Sequence, residues 1–200
     1  DEFNRKRARN DYPLMALWEM GIRRLRIPKL DLQQAYRCDR LRALRDHGNE
    51  FTVYMFGVPD DKTIELLTRN AALLSAIELV FPWPALDKII AAATSLRECT
   101  GVPIYLSKLR GKDEHEEGSS KFVHTLNHGF VANDEEQVKH LAQYDCVDGV
   151  VFRIASDEST WQQVTSVGRL CERANISGCA ITRMSTPSPE GYGKDELGSA

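Results

Sequence analysis

Short apolar runs recur along this chain at nearly constant intervals, and a longer amphipathic stretch follows each of them. The runs begin near residues 25, 51, 76, 102, 149 and 178. One β-strand and its crossover helix together occupy roughly 30 residues. The spacing therefore predicts a series of βα units, and the continuous apolar character of the runs favours a parallel sheet with helical cover.

Hydrophobic periodicity places the individual elements. The predicted strands are 25–28, 51–56, 76–81, 102–106, 149–154 and 178–182. The predicted helices are 11–21, 31–46, 61–74, 85–99, 133–144 and 157–174. The rhythm breaks at residues 110–121, which are polar and contain Gly and Ser, and predict a mobile excursion. For residues 122–130 the sequence does not decide between an irregular loop and a short strand.

Two α/β architectures fit such a series, a (β/α) barrel and an open doubly wound sheet. The chain has no GxGxxG after its first strand, and its repeat is regular, so we predict a parallel (β/α) barrel and keep the doubly wound sheet as the alternative. Six units and 200 residues fall short of a full barrel of eight strands and about 250 residues. We therefore expect a partial barrel, which begins within a βα unit and belongs to a longer protein.

The pattern resembles the TIM-barrel superfamily over about residues 11–183, at the level of the fold alone and without a family-specific motif. We predict one barrel-like domain over residues 1–184 and a flexible tail over residues 185–200, which is rich in Ser, Pro and Gly. The resemblance implies a site at the carboxyl ends of the strands. It does not imply a particular reaction.

Charge is distributed unevenly although the net charge is only −3. Residues 1–45 hold 12 basic and 6 acidic side chains, whereas the rest of the chain is acidic by 9 charges. The basic stretch lacks aromatic platforms for nucleic acid, so we predict contact with another domain or subunit through residues 1–45. Five Cys without a paired spacing predict small buried thiols and a cytoplasmic protein, and no run is long enough to cross a membrane.

Four of the six predicted strands carry a cation at or just beyond their carboxyl ends: Lys29, Lys108, Arg153 and Arg183. In a barrel these side chains would surround the mouth where ligands bind. Lys and Arg there suit a phosphate or a carboxylate. Solvated or ion-paired rim residues are the plainer alternative.

His124 and His128 are four residues apart, so they share one face in a helix and in a strand alike. The pair alone does not complete a metal site, and we predict none; the sequence identifies no cofactor. Histidine has the pKa best suited to proton transfer at neutral pH, so His124 or His128 is our candidate general acid or base. A hydrogen-bonded or exposed loop histidine is the alternative.

Three carboxylates could also carry chemistry. Asp31 and Asp60 follow strands, but both stand where a helix begins, and N-capping explains them more simply. Glu78 lies inside a predicted strand, where it either points into a barrel interior or pairs with a Lys or Arg there.

The leading functional hypothesis is an enzyme that acts on a small anionic substrate, phosphorylated or sugar-like, at the carboxyl ends of the strands. A hydrolase and an isomerase both fit, and we favour a hydrolase weakly. The alternative is a non-catalytic (β/α) domain of a larger enzyme or assembly.

Overall fold

The computed structural model describes residues 11–110, 128–154 and 159–182. The strands are β1 (Arg24–Pro28), β2 (Glu50–Phe56), β3 (Leu74–Pro82), β4 (Ile104–Leu109), β5 (Gly149–Ile154) and β6 (Ser177–Thr182). The helices are α1 (Asp11–Glu19), α2 (Ala35–Asp46), α3 (Asp61–Arg69), α4 (Leu86–Thr100), α5 (Glu135–Leu141) and α6 (Thr160–Ala174). Each element lies within a few residues of its predicted position.

All six strands are parallel and lie in the order in which they occur along the chain. Right-handed crossovers between sequential strands place the crossover helices on the same face of the sheet. A doubly wound sheet would require the strand order to reverse at a switch point, and this order never reverses. The sheet curls into a half-barrel, so the predicted partial (β/α) barrel is confirmed and the doubly wound alternative is wrong.

Alternate side chains of each strand serve the two faces of the sheet. In β2, Phe51, Val53 and Met55 are buried against the helices, whereas Tyr54 is half-buried and Phe56 is exposed. The apolar core therefore lies between the sheet and its helices, and the side chains of opposite parity line a concave inner face.

Local chemistry explains the shifted element ends. Pro103 has no N–H to donate, and β4 begins one residue later, where the Ile104 N–H donates to the Asp148 carboxylate at 2.8 Å. At α5 the cap differs from the predicted Asn133. The carboxylate of Asp134 instead accepts a hydrogen bond from the Val131 N–H at 2.9 Å, and the helix starts after a short 3-10 turn.

The remaining predictions concern the cysteines, a membrane span and two segments of the chain. Cys38 and Cys146 are buried as predicted, Cys171 is half-buried, and Cys99 and Cys179 are exposed, so the prediction of buried thiols is wrong for the last two. Within residues 11–110, 128–154 and 159–182, no helix is both long and apolar enough to span a membrane. The predicted excursion over residues 110–121 lies outside the described residues except for Arg110, and the tail over 185–200 lies outside them entirely.

The segment 128–130 is inserted between β4 and β5. The two strands pair directly only at their first residues, and beyond that point His128 bridges Leu109 in antiparallel fashion while Phe130 bridges Phe152 in parallel. Backbone hydrogen bonds of 2.8 Å fix both sides of the insertion. The Gly129 N–H donates to the Lys108 carbonyl of β4, and on the β5 side the Phe130 N–H donates to the Val151 carbonyl and the Arg153 N–H to the Phe130 carbonyl. This segment, which we call the wedge, delivers His128 to the inner face.

Gly129 at the centre of the wedge has a φ of 113°, which side-chain-bearing residues rarely adopt. A Cβ there would lie 2.7 Å from the backbone nitrogen of Arg153. We expect Gly129→Ala to lower the free energy of unfolding by about 2 kcal/mol or more in urea denaturation.

Gly168, exposed on α6 with open space around its α-carbon, is the matched control. Gly168→Ala should raise the free energy of unfolding by roughly 0.5–1 kcal/mol, because alanine favours a helix interior. Equal effects of the two substitutions would contradict the tight fit of the wedge.

Candidate functional site

Four strands and the wedge bring polar side chains together on the inner face. Arg26 of β1, Tyr54 of β2, Glu78 of β3 and Ser107 of β4 all have the inward parity, and His128 reaches them from the wedge. Each polar side chain stands on a different element, so only the parallel register of the sheet assembles the group. We call these five residues the inner-face cluster.

Glu78 and Arg26 form the electrostatic centre of the cluster. The Arg26 Nε donates to Glu78 Oε2 at 2.5 Å, and Arg26 Nη2 donates to Oε1 at 2.9 Å, so the contact is bidentate. Glu78 is 1% exposed and the Arg26 side chain 30%. The Arg26 guanidinium also lies over the Tyr54 ring, 3.9 Å from its centroid. An ionised carboxylate so deeply buried requires this fork of donors.

His128 is held through both ring nitrogens. Its Nδ1 lies 2.8 Å from Ser107 Oγ and 3.6 Å from Glu78 Oε1, and its Nε2 lies 3.4 Å from Arg26 Nη2. Arginine can only donate, so Nε2 presents its lone pair and the proton resides on Nδ1, which donates to Ser107. The Phe56 ring meets the imidazole edge-on, with the centroids 5.8 Å apart.

Burial sets the protonation state of this histidine. Desolvation lowers the pKa of His128 below its ordinary value, Glu78 raises it, and Arg26 lowers it again. A histidine with a lowered pKa is neutral at physiological pH. The inner face thus holds a neutral imidazole whose Nε2 lone pair is contacted only by Arg26 Nη2 among the described residues, at a distance that is long for a hydrogen bond.

The predicted site residues separate into three groups. Arg153 has the inward parity on β5, next to the wedge, and its guanidinium has no hydrogen-bond or ion-pair partner within the described residues. Lys29 lies beyond β1, where its Nζ donates to Thr63 Oγ1 of α3 at 3.2 Å. His124 and Arg183 lie outside the described residues.

Lys108 points to the opposite face of the sheet. It is 6% exposed, and its Nζ lies 3.2 Å from the Asp134 carboxylate, on the helix side of β4. The structure therefore brings His128 and Arg153 to one face and leaves Lys108 outside the cluster. A cation at a strand end reaches the inner face only when its parity is right.

Of the two carboxylates predicted to cap helices, Asp60 does so and Asp31 does not. Asp60 accepts from the Thr63 N–H at 2.9 Å and caps α3, as predicted. Asp31 caps no helix; it forms an ion pair with Arg37 instead. Both alternatives for Glu78 hold at once, since it points inward and pairs with an arginine.

Sequence reasoning did not select Arg26, Tyr54 or Ser107 as site residues. A charged residue between apolar neighbours of a buried strand was the available signal for Arg26, as it was for Glu78. Nothing in the sequence singles out Ser107, whose role depends on the position of the wedge.

Two solved structures are similar to this chain. The N-terminal domain of a "putative aldolase" from Bacteroides vulgatus is 16% identical, with a TM-score of 0.45, over 73% of this chain and 53% of that chain. A "putative dihydrodipicolinate synthetase" from Pseudomonas aeruginosa is 12% identical, with a TM-score of 0.44, over 83% of this chain and 60% of that one.

The chain thus spans between half and two thirds of the length of those two proteins. No protein-family model and no curated protein matches the chain. Likeness at this level concerns the βα arrangement and says nothing of substrates.

Removing one partner of the buried pair should cost more than removing both. We expect Arg26→Met to lower the free energy of unfolding by about 3 kcal/mol, because Glu78 is left buried without its donors. The double variant Arg26→Met/Glu78→Leu should recover most of that loss, as measured by urea denaturation. Arg24→Met is the control. Arg24 lies on the same strand as Arg26, but it forms an exposed ion pair with Glu50 of β2, and the loss of that pair should change the stability little.

Stability should depend on pH through His128. Its folded pKa lies below its unfolded value of about 6.5, so the unfolded chain takes up the proton first as the pH falls. The full contribution to stability is present above about pH 6.5 and is lost as the pH falls toward the folded pKa. We expect the free energy of unfolding to fall more steeply between about pH 7 and pH 5 in the wild type than in His128→Gln. Parallel curves for the two proteins would contradict the buried, neutral imidazole.

Proposed function

We propose that the inner-face cluster is the catalytic centre of an enzyme that transfers a proton on a small anionic substrate. One observation carries the proposal: a neutral histidine has its Nδ1 proton engaged by Ser107, while its Nε2 lone pair is held, within the described part of the chain, only by a long contact of 3.4 Å from Arg26 Nη2, which a substrate proton would displace. Its position among the carboxyl halves of β1–β4 coincides with the region where (β/α) barrels bind ligands.

The roles of three groups follow from their chemistry. His128 Nε2 takes a proton from the substrate, and the electron pair of the broken bond remains on the substrate. Arg26 Nη2, 3.4 Å from Nε2, stabilises the negative charge that develops there. His128 then returns the proton, to another substrate atom in an isomerisation. Arg153 binds the substrate's permanent anionic group.

Ser107 and Glu78 act as positioning residues. A Ser–His–acid relay for hydrolysis places the nucleophile at one imidazole nitrogen and the carboxylate at the other. Here Ser107 Oγ and Glu78 Oε1 both face Nδ1, at 2.8 and 3.6 Å. This arrangement favours proton transfer, and hence an isomerase, over the hydrolase that the sequence weakly favoured. Contributions of Lys29, His124 and Arg183 to anion binding or proton transfer stay predictions.

A second function, a non-catalytic domain of a larger assembly, has support at the amino-terminal side. Met15, Met20 and Ile22 are 56%, 67% and 38% exposed, within the basic stretch that the sequence assigns to a partner. Exposed apolar side chains of this size are typical of contact surfaces. This function and the catalytic one use different surfaces, so they are compatible.

The proposal predicts solvent exchange at a substrate C–H bond. We expect the full chain, incubated in D₂O with a panel of carboxylates and phosphates that bear a carbonyl group, both sugar-like and aromatic, to introduce deuterium next to the carbonyl group in at least one of them. His128→Gln should reduce the exchange rate by about a hundredfold or more, since it removes the base. Arg153→Gln should chiefly raise KM, because it removes binding to the substrate's anion. Mass spectrometry of the recovered panel measures the exchange.

Neutral sugars provide the matched ligand control, and Arg169→Gln on α6 the matched protein control, since Arg169 is exposed on the helix side. An exchange rate that His128→Gln leaves unchanged would exclude His128 as the base. Exchange that requires His128 but is equal for neutral sugars would remove Arg153 from the mechanism.

A further inference from the structure

The mouth of the half-barrel beside His128 is apolar. Phe56 is 45% exposed although it stands on the inner face, and Val58 immediately beyond β2 is 46% exposed. Leu30, after the neighbouring strand β1, is 60% exposed. We call Leu30, Phe56 and Val58 the apolar rim. Exposed apolar side chains grouped at a strand end, next to a histidine, are typical of a ligand-binding surface.

The carboxylates near the rim are already engaged. Glu78 is 1% exposed and is held by Arg26 and His128. Asp60 caps α3, and Asp31 is paired with Arg37. A site that selects a sugar binds its hydroxyl groups through acceptors that are not already used. Both oxygens of Glu78 and one oxygen each of Asp31 and Asp60 are used within the protein.

We propose that the substrate carries an apolar body of aromatic size beside its anionic group, and this proposal rests on the proposed function. The apolar body lies on Phe56 and is flanked by Val58 and Leu30. The anion pairs with Arg153, which adjoins the wedge on the far side of His128. Because the Phe56 ring touches the imidazole, a body seated on Phe56 brings the adjacent carbon to His128 Nε2.

The charge on the ligand follows from the same geometry. Arg26 is paired with Glu78, whereas no described residue pairs with Arg153, so Arg153 is the cation that we assign to the ligand's anion. A monoanion with an apolar body complements both features, a charge for Arg153 and a surface for the rim. A polyhydroxylated anion would satisfy Arg153 but would leave its hydroxyl groups against apolar side chains.

Two probes of equal charge and similar size test the proposal: 3-phenylpropionate and gluconate. We expect calorimetric titration of the full chain to give a Kd about tenfold lower for phenylpropionate, as partial burial of a phenyl ring predicts. Phe56→Ser should abolish this preference by weakening phenylpropionate about tenfold and leaving gluconate unchanged. Val58→Ser gives a second, smaller effect and serves if Phe56→Ser does not fold. Trp161→Ser, at a side chain 79% exposed on α6, is the control and should change neither Kd.

The outcomes separate this inference from the proposed function. If gluconate binds as tightly as phenylpropionate and Arg153→Gln weakens both, the apolar substrate body is overturned and the anion site remains. If neither Phe56→Ser nor Val58→Ser changes the Kd for phenylpropionate, the apolar rim is excluded as the binding site of the phenyl ring. If neither probe binds the wild type, both the inference and the proposed anion site fail.

Discussion

The buried ion pair of Glu78 and Arg26 is the interaction on which the inner face depends. A carboxylate that is 1% exposed has lost its hydration, and burying it without hydrogen-bond donors would be costly. Arg26 supplies two donors, while the Tyr54 ring covers the face of its guanidinium. The pair acts on His128 with opposite signs, since Glu78 raises its pKa and Arg26 lowers it. Desolvation is the largest of the three effects on the pKa of His128, and the imidazole is neutral for that reason.

The wedge is the second constraint, because it decides which residue meets the pair. Beyond Leu106 and Val150 the strands β4 and β5 no longer bond to each other, and residues 128–130 complete the hydrogen bonds on both sides. Backbone groups buried without partners would be costly, so these hydrogen bonds fix the register of the wedge against β4 and β5. That register brings His128 into contact with Ser107.

Most of the fold could be predicted because its information is local. The length of a βα unit, the apolar runs and the helical periodicity are all properties of short windows, and they predicted six strands and six helices in place. The inner-face cluster is different, since Arg26 and Glu78 are 52 residues apart and Arg26 and His128 are 102 apart. No local pattern specifies such pairs. Glu78 was still recognised, because a carboxylate inside an apolar strand needs a partner wherever the chain supplies one.

Strand parity explains why only some of the cations at the strand ends belong to the inner face. Lys108 and Arg153 both stand near strand ends, yet one faces Asp134 on the helix side and the other faces inward. A shift of one residue along a strand reverses the face that a side chain occupies, so position at a strand end alone does not select site residues. The alternation of Ile104 and Leu106 with Tyr105 and Ser107 already assigns Lys108 to the helix side.

Burial around His128 and the apolar rim act together in the proposed site. A ligand body on Phe56 removes water from the imidazole, which favours the neutral form and so keeps the base unprotonated. The ligand's anion acts in the opposite direction, because a nearby negative charge favours the protonated imidazole. Arg153 limits the second effect by neutralising the anion where it binds. A substrate with its charge at Arg153 and its apolar body at Phe56 therefore leaves His128 able to accept the proton, whereas one bound in the reverse sense would bring the anion beside the Glu78 carboxylate.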